Sequence, residues 1–451
     1  MNAGRVVLVG AALSLLACTT SSSDSDAAPP TRVEWFVGLG TGAQPEQLDV
    51  QRDVVAAFND AHDDIVLDLE VFDNELAFDE LRDRLAAGEG PDLIGPVGIR
   101  GSAEFDGEFL DLRPYLDEGV LAAYDDEQLA IWKDGDAVTA LPFGVFPSML
   151  FVNEELFSRA GLPLPPTSFG VPYDGALWDI DALTSLATKL TVDADGRSAD
   201  DPAFDASRIV QWGFHHQFLE DARAHGAFFG AGSMTDAAGD ATIPEPWLAE
   251  WRWYHEAMWS RHISPTGPET ESAVLRETNA FATGRVAMAF THLWYVPSLV
   301  TEDGAPLTFW NLAVPPAHDG QHTAKVHADT FRVLASTDVP EAAATVLAYL
   351  HDDAAADLLG VYGSFPARAD LRAPFLDDLR ARFGDDIAWD VIDETLTRPD
   401  VPSHEAGLPE AVRSQALLDA FHDALRNDPD LDVAAAAEGL ERDLQAVFTG
   451  G

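Results

Sequence analysis

The chain has 451 residues, of which 77 are Asp or Glu and 27 are Lys or Arg, and its formal net charge is −50 at pH 7. A surface of this charge repels phosphate backbones and anionic lipids, which excludes nucleic-acid binding and docking to a membrane through basic residues. The single cysteine excludes an intrachain disulfide and a thiolate metal cluster. The length and the 47% hydrophobic content predict two domains with sizeable cores. The acidic bias suits a saline habitat, and a high-GC genome produces the same bias.

The N-terminus has the pattern of an export signal. Arg5 precedes an apolar run, Val6 to Ala17, which is shorter than the about 20 residues of a membrane-spanning helix but fits the hydrophobic region of a secretory signal. The run ends in Leu-Leu-Ala followed by Cys18, which resembles the bacterial lipobox, whose cysteine receives a diacylglycerol. We therefore predict a signal peptide over residues 1–17 and a lipid-anchored, flexible tether over residues 18–30, which are rich in Ser, Asp and Pro.

Strand and helix patterns alternate after the tether. In order, the sequence predicts a strand at Arg32–Val37, a helix at Glu46–His62, a strand at Ile65–Val71 and a helix at Leu76–Ala87. The first strand runs into an open loop with three glycines, Gly38–Gly42. This order predicts parallel βαβ units in an α/β fold, with ligand sites at the carboxyl ends of the strands.

Extended stretches interrupted by proline predict crossings between the two domains. We expect such crossings at Phe143–Pro147, Val314–Pro316 and Tyr362–Pro366. The segment Trp247–Trp259 carries its aromatic residues largely on one helical face, which predicts a core helix. The Ala-rich segment Pro374–Phe448 predicts further helices.

Motifs for catalysis, cofactors and metals are missing from the sequence. It contains no GxSxG, GxxxxGK[ST] or HExxH motif, and no GxGxxG between a strand and a helix. Two groups of histidines have no strong metal-binding spacing; they are His318, His322 and His327 with Asp329, and His215 and His216 with His225. We predict no catalytic residue, no cofactor and no metal ion.

Several local patterns share their order with a known family. They are VEWFVGLG, FNDAHDDIVLDLEV, LRDRLAAGEGPDLI, FLDLRPYLDEG, ALPFGVFPSMLFVNEELFSRAGLPLPPT, NAFATGRVAMAFTHLW and GSFPARAD. In this order the chain resembles the extracellular solute-binding proteins of ABC importers, specifically the maltose-binding-like, sugar-binding group. The resemblance covers nearly the whole mature chain.

The resemblance implies a two-lobe, periplasmic-binding-protein-like fold with several hinge crossings around an interlobe cleft. We expect lobe 1 at residues 31–144 plus 315–362, and lobe 2 at 145–314 plus 363–451. The expected protein is a monomer in the cell envelope, lipid-anchored to the outer face of the cytoplasmic membrane or in the periplasm, and not an enzyme. It would close on a mono- or oligosaccharide by hinge bending and deliver it to a membrane permease. The alternatives are a binding protein for a cationic solute such as a polyamine, because carboxylates are in excess, and a secreted carbohydrate-active enzyme.

The expected ligand site centres on Trp294, with Tyr295 beside it. Arg285–Phe290 is predicted to be a short buried strand, so Thr291–Tyr295 should lie in the loop at its carboxyl end, and the resemblance points to the same Trp. The alternative is that Trp294 belongs to the core. The other expected ligand-binding residues are Gly40, Thr41 and Asp92 on the opposite lobe and Phe146, His216, Asp329 and Phe365 along the crossings.

We predict that Cys18 is the acylated first residue of the mature protein, because it ends the only hydrophobic run before the tether. Cys18→Ala should leave the protein unlipidated and remove it from the membrane fraction. Membrane fractionation with mass spectrometry of the N-terminus measures both effects, and an unmodified Cys18 in the native host would contradict the prediction.

Overall fold

The computed structural model describes residues 29–450 except 117, 125–128, 130–131, 135, 220, 276–278 and 302. The predicted signal peptide and most of the predicted tether, including Cys18, lie outside the described residues. Within the described part of the chain, no helix is long and apolar enough to span a bilayer.

The strands are mostly short, and one of them is much longer than its neighbours. They are β1 (Thr31–Val37), β2 (Ile65–Val71), β3 (Leu93–Gly98), β4 (Lys133–Asp134), β5 (Ala137–Val138), β6 (Gly144–Asn153), β7 (Val192–Asp193), β8 (Ile209–Gln211), β9 (His215–His216), β10 (Met288–His292), β11 (Trp310–Ala313), β12 (Val326–Val333) and β13 (Phe365–Pro366).

Helices separate most of these strands and fill the C-terminal third. They are α1 (Pro45–Ala61), α2 (Asn74–Ala87), α3 (Ile99–Ala103), α4 (Glu118–Leu121), α5 (Glu154–Ala160), α6 (Ile180–Leu190), α7 (Ala222–Gly226), α8 (Glu245–Trp259), α9 (Gly267–Thr270), α10 (Pro340–His351), α11 (Ala355–Tyr362), α12 (Arg372–Phe383), α13 (Asp390–Leu396), α14 (Ala411–Asn427) and α15 (Val433–Phe448). Short 3-10 helices lie at Ala206–Arg208, Ala273–Leu275, Phe281–Thr283, Leu293–Ser298 and Ala369–Leu371.

The predicted βαβ order is present at the start of the fold. Strand β1 pairs in parallel with β2 from Thr31 opposite Ile65 to Val37 opposite Val71, and also in parallel with β3. Helix α2 ends at Gly88, which has φ of 72° and donates its amide to the last carbonyls of the helix. The mixed α/β fold predicted from the sequence is therefore confirmed.

One sheet continues through both halves of the molecule. Its strand order is β2-β1-β3-β12-β6-β10-β9, and β11 and β13 also pair with β6. The first residues of β6, Gly144–Pro147, pair with β12 and β13, whereas Ser148–Asn153 pair with β10 and β11. The predicted crossing at Phe143–Pro147 is thus the first half of a strand that belongs to both lobes.

Two separate groups of apolar side chains define the lobes. The lobe 1 core packs β1, β2, β3 and β12 against α1, α10 and α11, and includes Trp35, Phe58 and Leu347. The lobe 2 core packs the second half of β6 with β10 and β11 against α5, α6, α8 and α13 to α15. Tyr362 belongs to the first core and Phe365 to the second, so the chain changes lobe between them.

The segment 315–324 lies against lobe 2, although the predicted boundary assigned it to lobe 1. The amide of Ile180 donates to Ala317 O at 3.0 Å, and the amide of Ala324 donates to Arg398 O at 2.8 Å. Pairing with lobe 1 strands begins only in β12. We therefore propose that the chain changes lobe at the start of β12 and not at residue 315.

A close backbone approach at Gly213 predicts a sensitive site in lobe 2. A Cβ atom on Gly213 would lie 2.0 Å from the carbonyl oxygen of Ala187 in α6, and backbone atoms have little freedom to move. Gly213→Ala should therefore lower the free energy of unfolding by about 1–3 kcal/mol. Gly360 in α11 is the matched control, because a Cβ there meets no atom of the described residues within 4 Å. Gly360→Ala should raise stability by about 0.5–1 kcal/mol. Denaturant unfolding curves of both variants measure the change in the free energy of unfolding. Equal changes in the two variants would contradict the packing argument.

Candidate functional site

A cleft separates the two lobes where β6 and β12 cross between them. Two adjoining cavities with volumes of ≈ 670 and ≈ 960 Å³ form it, within the range of small-ligand sites. Seven residues line both cavities: Gln44, Arg100, Arg223, Trp294, His327, Glu405 and Gln415. They come from both lobes and from the crossing strand β12, so the two cavities are parts of one site.

The lobe 1 wall is built at the carboxyl ends of β1 and β3, as the sequence predicts. The glycine loop after β1 brings Gly40 and Thr41 to the cavity, and Gly40 has φ of 106°, which favours glycine. Two buried glutamines of α1 hold this loop: Gln47 Oε1 accepts from the amide of Gly42 at 2.9 Å, and Gln51 Nε2 donates to the carbonyl of Gly42 at 2.7 Å. Sequence reasoning missed both glutamines, although they occupy one face of the predicted helix.

Trp294 lies on the lobe 2 wall and lines both cavities. It follows β10 in the 3-10 helix Leu293–Ser298, so the strand lies two to three residues later than predicted and a helical turn replaces the expected loop. The rings of His292 and Phe218 both stack on Trp294, each with a centroid distance of 6.0 Å and interplanar angles of 22° and 26°. The indole is half-buried and held in one orientation, so one part of it is available to the cleft.

Tyr295 does not join Trp294 on the cleft wall. Its side chain is 0% exposed, its hydroxyl donates to Asn279 Oδ1 at 2.6 Å, and its ring meets Phe151 edge-on in the lobe 2 core. A 3-10 helix turns about 120° per residue, so adjacent side chains point in different directions. This turn accounts for the difference between the two aromatic residues.

The structure brings Phe146 and Asp329 to the cleft but leaves three other expected site residues outside the lining of these cavities. Asp92 precedes β3, at the amino end of the strand, where it accepts hydrogen bonds from the amide of Glu34 and from Thr337 Oγ1. Phe365 is 0% exposed in the lobe 2 core. His216 is buried in the same core, with Nε2 at 3.0 Å from Glu250 Oε1.

Two acidic side chains lie in the cleft with few partners. Asp329 Oδ2 accepts a hydrogen bond from Thr41 Oγ1 at 3.1 Å, and burial, with the nearby Glu405, raises the pKa of Asp329 to about 7. Burial also raises the pKa of Glu405, whose Oε2 is buried and has no hydrogen-bond partner in the part of the chain that the structure describes. No local sequence pattern singles out Glu405, because it reaches the cleft from a C-terminal loop that is far along the chain from the crossings.

A row of imidazoles forms one end of the cleft. Asp400 Oδ2 lies 2.6 Å from His404 Nδ1, and His404 Nε2 lies 3.1 Å from His327 Nε2. Because a carboxylate can only accept, His404 Nδ1 donates to Asp400. The His327 ring in turn lies 3.9 Å from that of His292.

His318, His322 and His327, which lie close together in the sequence, do not come together in the structure. The ring of His318 stacks on Phe229 and that of His322 packs on Phe169, both on lobe 2. Only His327 reaches the cleft, because it lies on β12 after the chain has changed lobe.

An ion pair joins the lobes across the cleft. Arg100 Nη1 of α3 lies 2.8 Å from Asp221 Oδ2, at the amino end of α7. Gln415 donates to the same oxygen at 3.1 Å. Burial acts to raise the pKa of Asp221, but the guanidinium groups of Arg223 and Arg100 outweigh it and hold this pKa well below its usual range. The pair exists only while the lobes are this close together.

The raised pKa of Asp329 predicts a pH dependence of stability. Between its ordinary pKa of 3.8 and the folded value of about 7, the unfolded chain has lost the Asp329 proton while the folded chain keeps it. Raising the pH through this window therefore weakens folding, and the slope ends above a pH of about 7. Asp329→Asn removes the titration, so its stability relative to wild type should increase over the window and then level off. Denaturant unfolding curves of both proteins at several pH values give the difference in their free energies of unfolding. A difference that stays constant with pH would contradict the prediction.

Solved structures with the same fold span nearly the whole chain. UspC of M. tuberculosis is 19% identical with a TM-score of 0.69, and the match covers 92% of this chain and 100% of that chain. The ABC substrate-binding protein Lmo0181 of Listeria monocytogenes, in complex with cycloalternan, is 16% identical with a TM-score of 0.69 over 93% and 99% of the two chains. Maltose-bound MalE3 of T. maritima is 15% identical with a TM-score of 0.68 over 92% and 99%.

No curated protein matches the chain. The structural likenesses show a two-lobe binding-protein fold around the cleft. A family model matches residues 53–380, which is more than half of the chain. The chain therefore belongs to the family of bacterial extracellular solute-binding proteins.

Proposed function

We propose that this protein is the extracytoplasmic substrate-binding component of an ABC importer, that it captures a carbohydrate in the interlobe cleft, and that it is not an enzyme. The observation that carries the proposal is the half-buried Trp294, fixed on the wall of a cavity of ≈ 670 Å³ that Thr41, Asp329 and Glu405 also line. Apolar CH faces of a sugar stack on an aromatic ring, while a few polar groups take the hydroxyls. The relatives described with cycloalternan and maltose support a sugar as the ligand.

Closure of the lobes is the second part of the proposal. The lobes are linked by β6, by the start of β12 and by the turn between Tyr362 and Phe365, and each lobe has its own core. Rotation about these links would bring the Trp294 wall towards Gly40 and Thr41. The Arg100–Asp221 pair would then stabilise the closed form, which a lipid-anchored, exported monomer would present to its permease.

A cationic solute is the alternative to a sugar, and one feature of the cleft favours it. The half-buried Asp329 and the buried Glu405 line the cleft, and Glu405 Oε2 has no hydrogen-bond partner among the described residues. An ammonium group of a polyamine would neutralise both. Arg100 and Arg223 line the same cavity and oppose such a ligand, which makes the neutral sugar the better fit.

A melting panel separates the candidate ligands. A ligand that binds only the folded state, at 100 times its dissociation constant, adds about 2.7 kcal/mol of stability. We expect mono- or oligosaccharides to raise the melting temperature and polyamines to leave it unchanged. A rise with polyamines alone would replace the proposal by its alternative. Turnover of a sugar by the purified protein would show that it is an enzyme.

Trp294→Ala tests the stacking surface. Because the indole lines the cleft, the variant should lose roughly 1–3 kcal/mol of sugar affinity and little stability. A core tryptophan would instead cost about 3–5 kcal/mol of stability. Trp259, half-buried on α8 and outside the cleft lining, is the matched control, and Trp259→Ala should keep the wild-type affinity. Calorimetric titration with a melting curve on both variants decides the question. If Trp294→Ala keeps its sugar affinity but melts at a much lower temperature, Trp294 is not the surface on which the sugar stacks.

A further inference from the structure

Three potential metal ligands meet in the core of lobe 2, away from the cleft. His216 on β9, His225 on α7 and Glu250 on α8 each offer a ligand atom, and these atoms all lie within 4.8 Å of one another. The three side chains are 0% exposed. Apolar rings surround the group, including Phe214, Phe228 and Tyr254. In such surroundings, the ring nitrogens of the two histidines and the carboxylate oxygens of Glu250 have mainly one another as polar neighbours.

The hydrogen bonds of His225 leave a lone pair facing the carboxylate. Its Nε2 lies 3.2 Å from the carbonyl oxygen of Leu219, which can only accept, so Nε2 carries the proton. In the neutral ring, the other nitrogen, Nδ1, then has a free lone pair. That nitrogen lies 3.7 Å from Glu250 Oε1 and has no hydrogen-bond partner among the described residues. A cation between them would satisfy both atoms.

A cation at this place would also satisfy the carboxylate oxygens of Glu250. Its Oε1 lies 3.0 Å from His216 Nε2 and 3.7 Å from His225 Nδ1, while its buried Oε2 has no hydrogen-bond partner among the described residues. The ammonium of the buried Lys325 lies over the Phe290 ring, 4.7 Å from the centroid, and also has no hydrogen-bond partner in the described part of the chain. A buried carboxyl group either keeps its proton or is paired with a cation, and a metal ion bound here would provide that pairing.

Two of the three separations between donor atoms suit a tetrahedral ion, and the third is within 4.8 Å. Zinc bonds of about 2.0–2.2 Å to His and carboxylate place neighbouring ligand atoms about 3.3–3.6 Å apart. The distances of 3.0 and 3.7 Å from Glu250 Oε1 to the two nitrogens bracket that range. The hydrogen bond from His225 Nε2 to a backbone carbonyl is the usual orientation of a metal-bound histidine. We propose that His216, His225 and Glu250 bind a divalent ion of the zinc class in the core of lobe 2.

A small adjoining cavity has room for a fourth ligand. It has a volume of ≈ 70 Å³ and is lined by His216 together with polar side chains that include Thr270 and Arg426. This space is large enough for a water molecule, which would complete a site of two histidines and one carboxylate. The same cavity extends from the ligand His216 towards the exposed side chain of Glu271, which gives a path for the ion.

The ion would fix the lobe 2 wall of the cleft. Helix α7 carries His225, and its first residues include Arg223 and the capping Asp221, which both line the cleft. The ion ties α7 to β9 and to α8, so it holds the wall that meets Arg100 of lobe 1. This role is structural and does not depend on which solute the cleft binds.

The test uses the full chain, refolded with Zn²⁺ because the site is buried, and then dialysed against metal-free buffer. We expect one zinc per chain by elemental analysis and a melting temperature that falls when a chelator removes the ion. Glu250→Gln keeps the shape of the side chain but removes its charge, and it should weaken binding by more than roughly 100-fold. His262→Asn is the matched control: it removes a lobe 2 histidine outside the group, and Asn tolerates the φ of 57° found there. It should keep the wild-type zinc content.

Cobalt substitution of the wild-type protein gives a readout that does not need a folded variant. Tetrahedral Co²⁺ bound by nitrogen and oxygen should absorb in the visible range without a thiolate charge-transfer band. A wild-type chain that retains no zinc, an equal affinity in Glu250→Gln, or a thiolate band from Cys18 would each overturn the proposal. If Glu250→Gln does not fold, the zinc content of the wild-type protein and its melting temperature with and without chelator decide the question. A melting temperature that the chelator does not change would overturn the proposal.

Discussion

The hydrogen-bonded ladder of β6 is the constraint on which the rest of the structure depends. It pairs with the crossing strand β12 over Gly144–Pro147 and with the lobe 2 strands β10 and β11 over Ser148–Asn153. Nine of the ten positions are buried, so the strand is held by packing as well as by its ladder. Because one strand serves both lobes, the floor of the cleft is fixed, and relative motion is confined to the junction within β6, the start of β12 and the turn before Phe365.

The cleft combines buried acids, paired arginines and imidazoles around one aromatic wall. Asp329 sits on β12 close to the floor and shares a hydrogen bond with Thr41 of the opposite loop. Asp221, in contrast, is surrounded by Arg100, Arg223 and Gln415. On this proposal Asp329 would meet the ligand, whereas the ion pair of Asp221 with Arg100 joins the lobes. This division of roles follows from which acid has a cationic neighbour.

Sequence reasoning recovered what depends on local pattern and short range. The strands and helices of the first βα units, the core helix α8 and the glycine loop lie within two residues of their predicted bounds, because periodicity and caps are local signals. It was harder to predict which side chains face the cleft and which face the core. Asp92 precedes its strand and so lies at the wrong end of it, and Tyr295 turns inward beside Trp294. Glu405 comes from a distant loop, and the contact between His216 and Glu250 spans 34 positions, so no local pattern shows either.

Closure of the cleft on a sugar is the central claim, and small-angle X-ray scattering tests it most directly. The sample is the full chain with and without a saturating concentration of the sugar that most raises the melting temperature. The account predicts a smaller radius of gyration with the sugar, because two rigid lobes rotate towards each other about the β6 and β12 links. An unchanged scattering profile, at a saturation proven by calorimetry on the same sample, would contradict it.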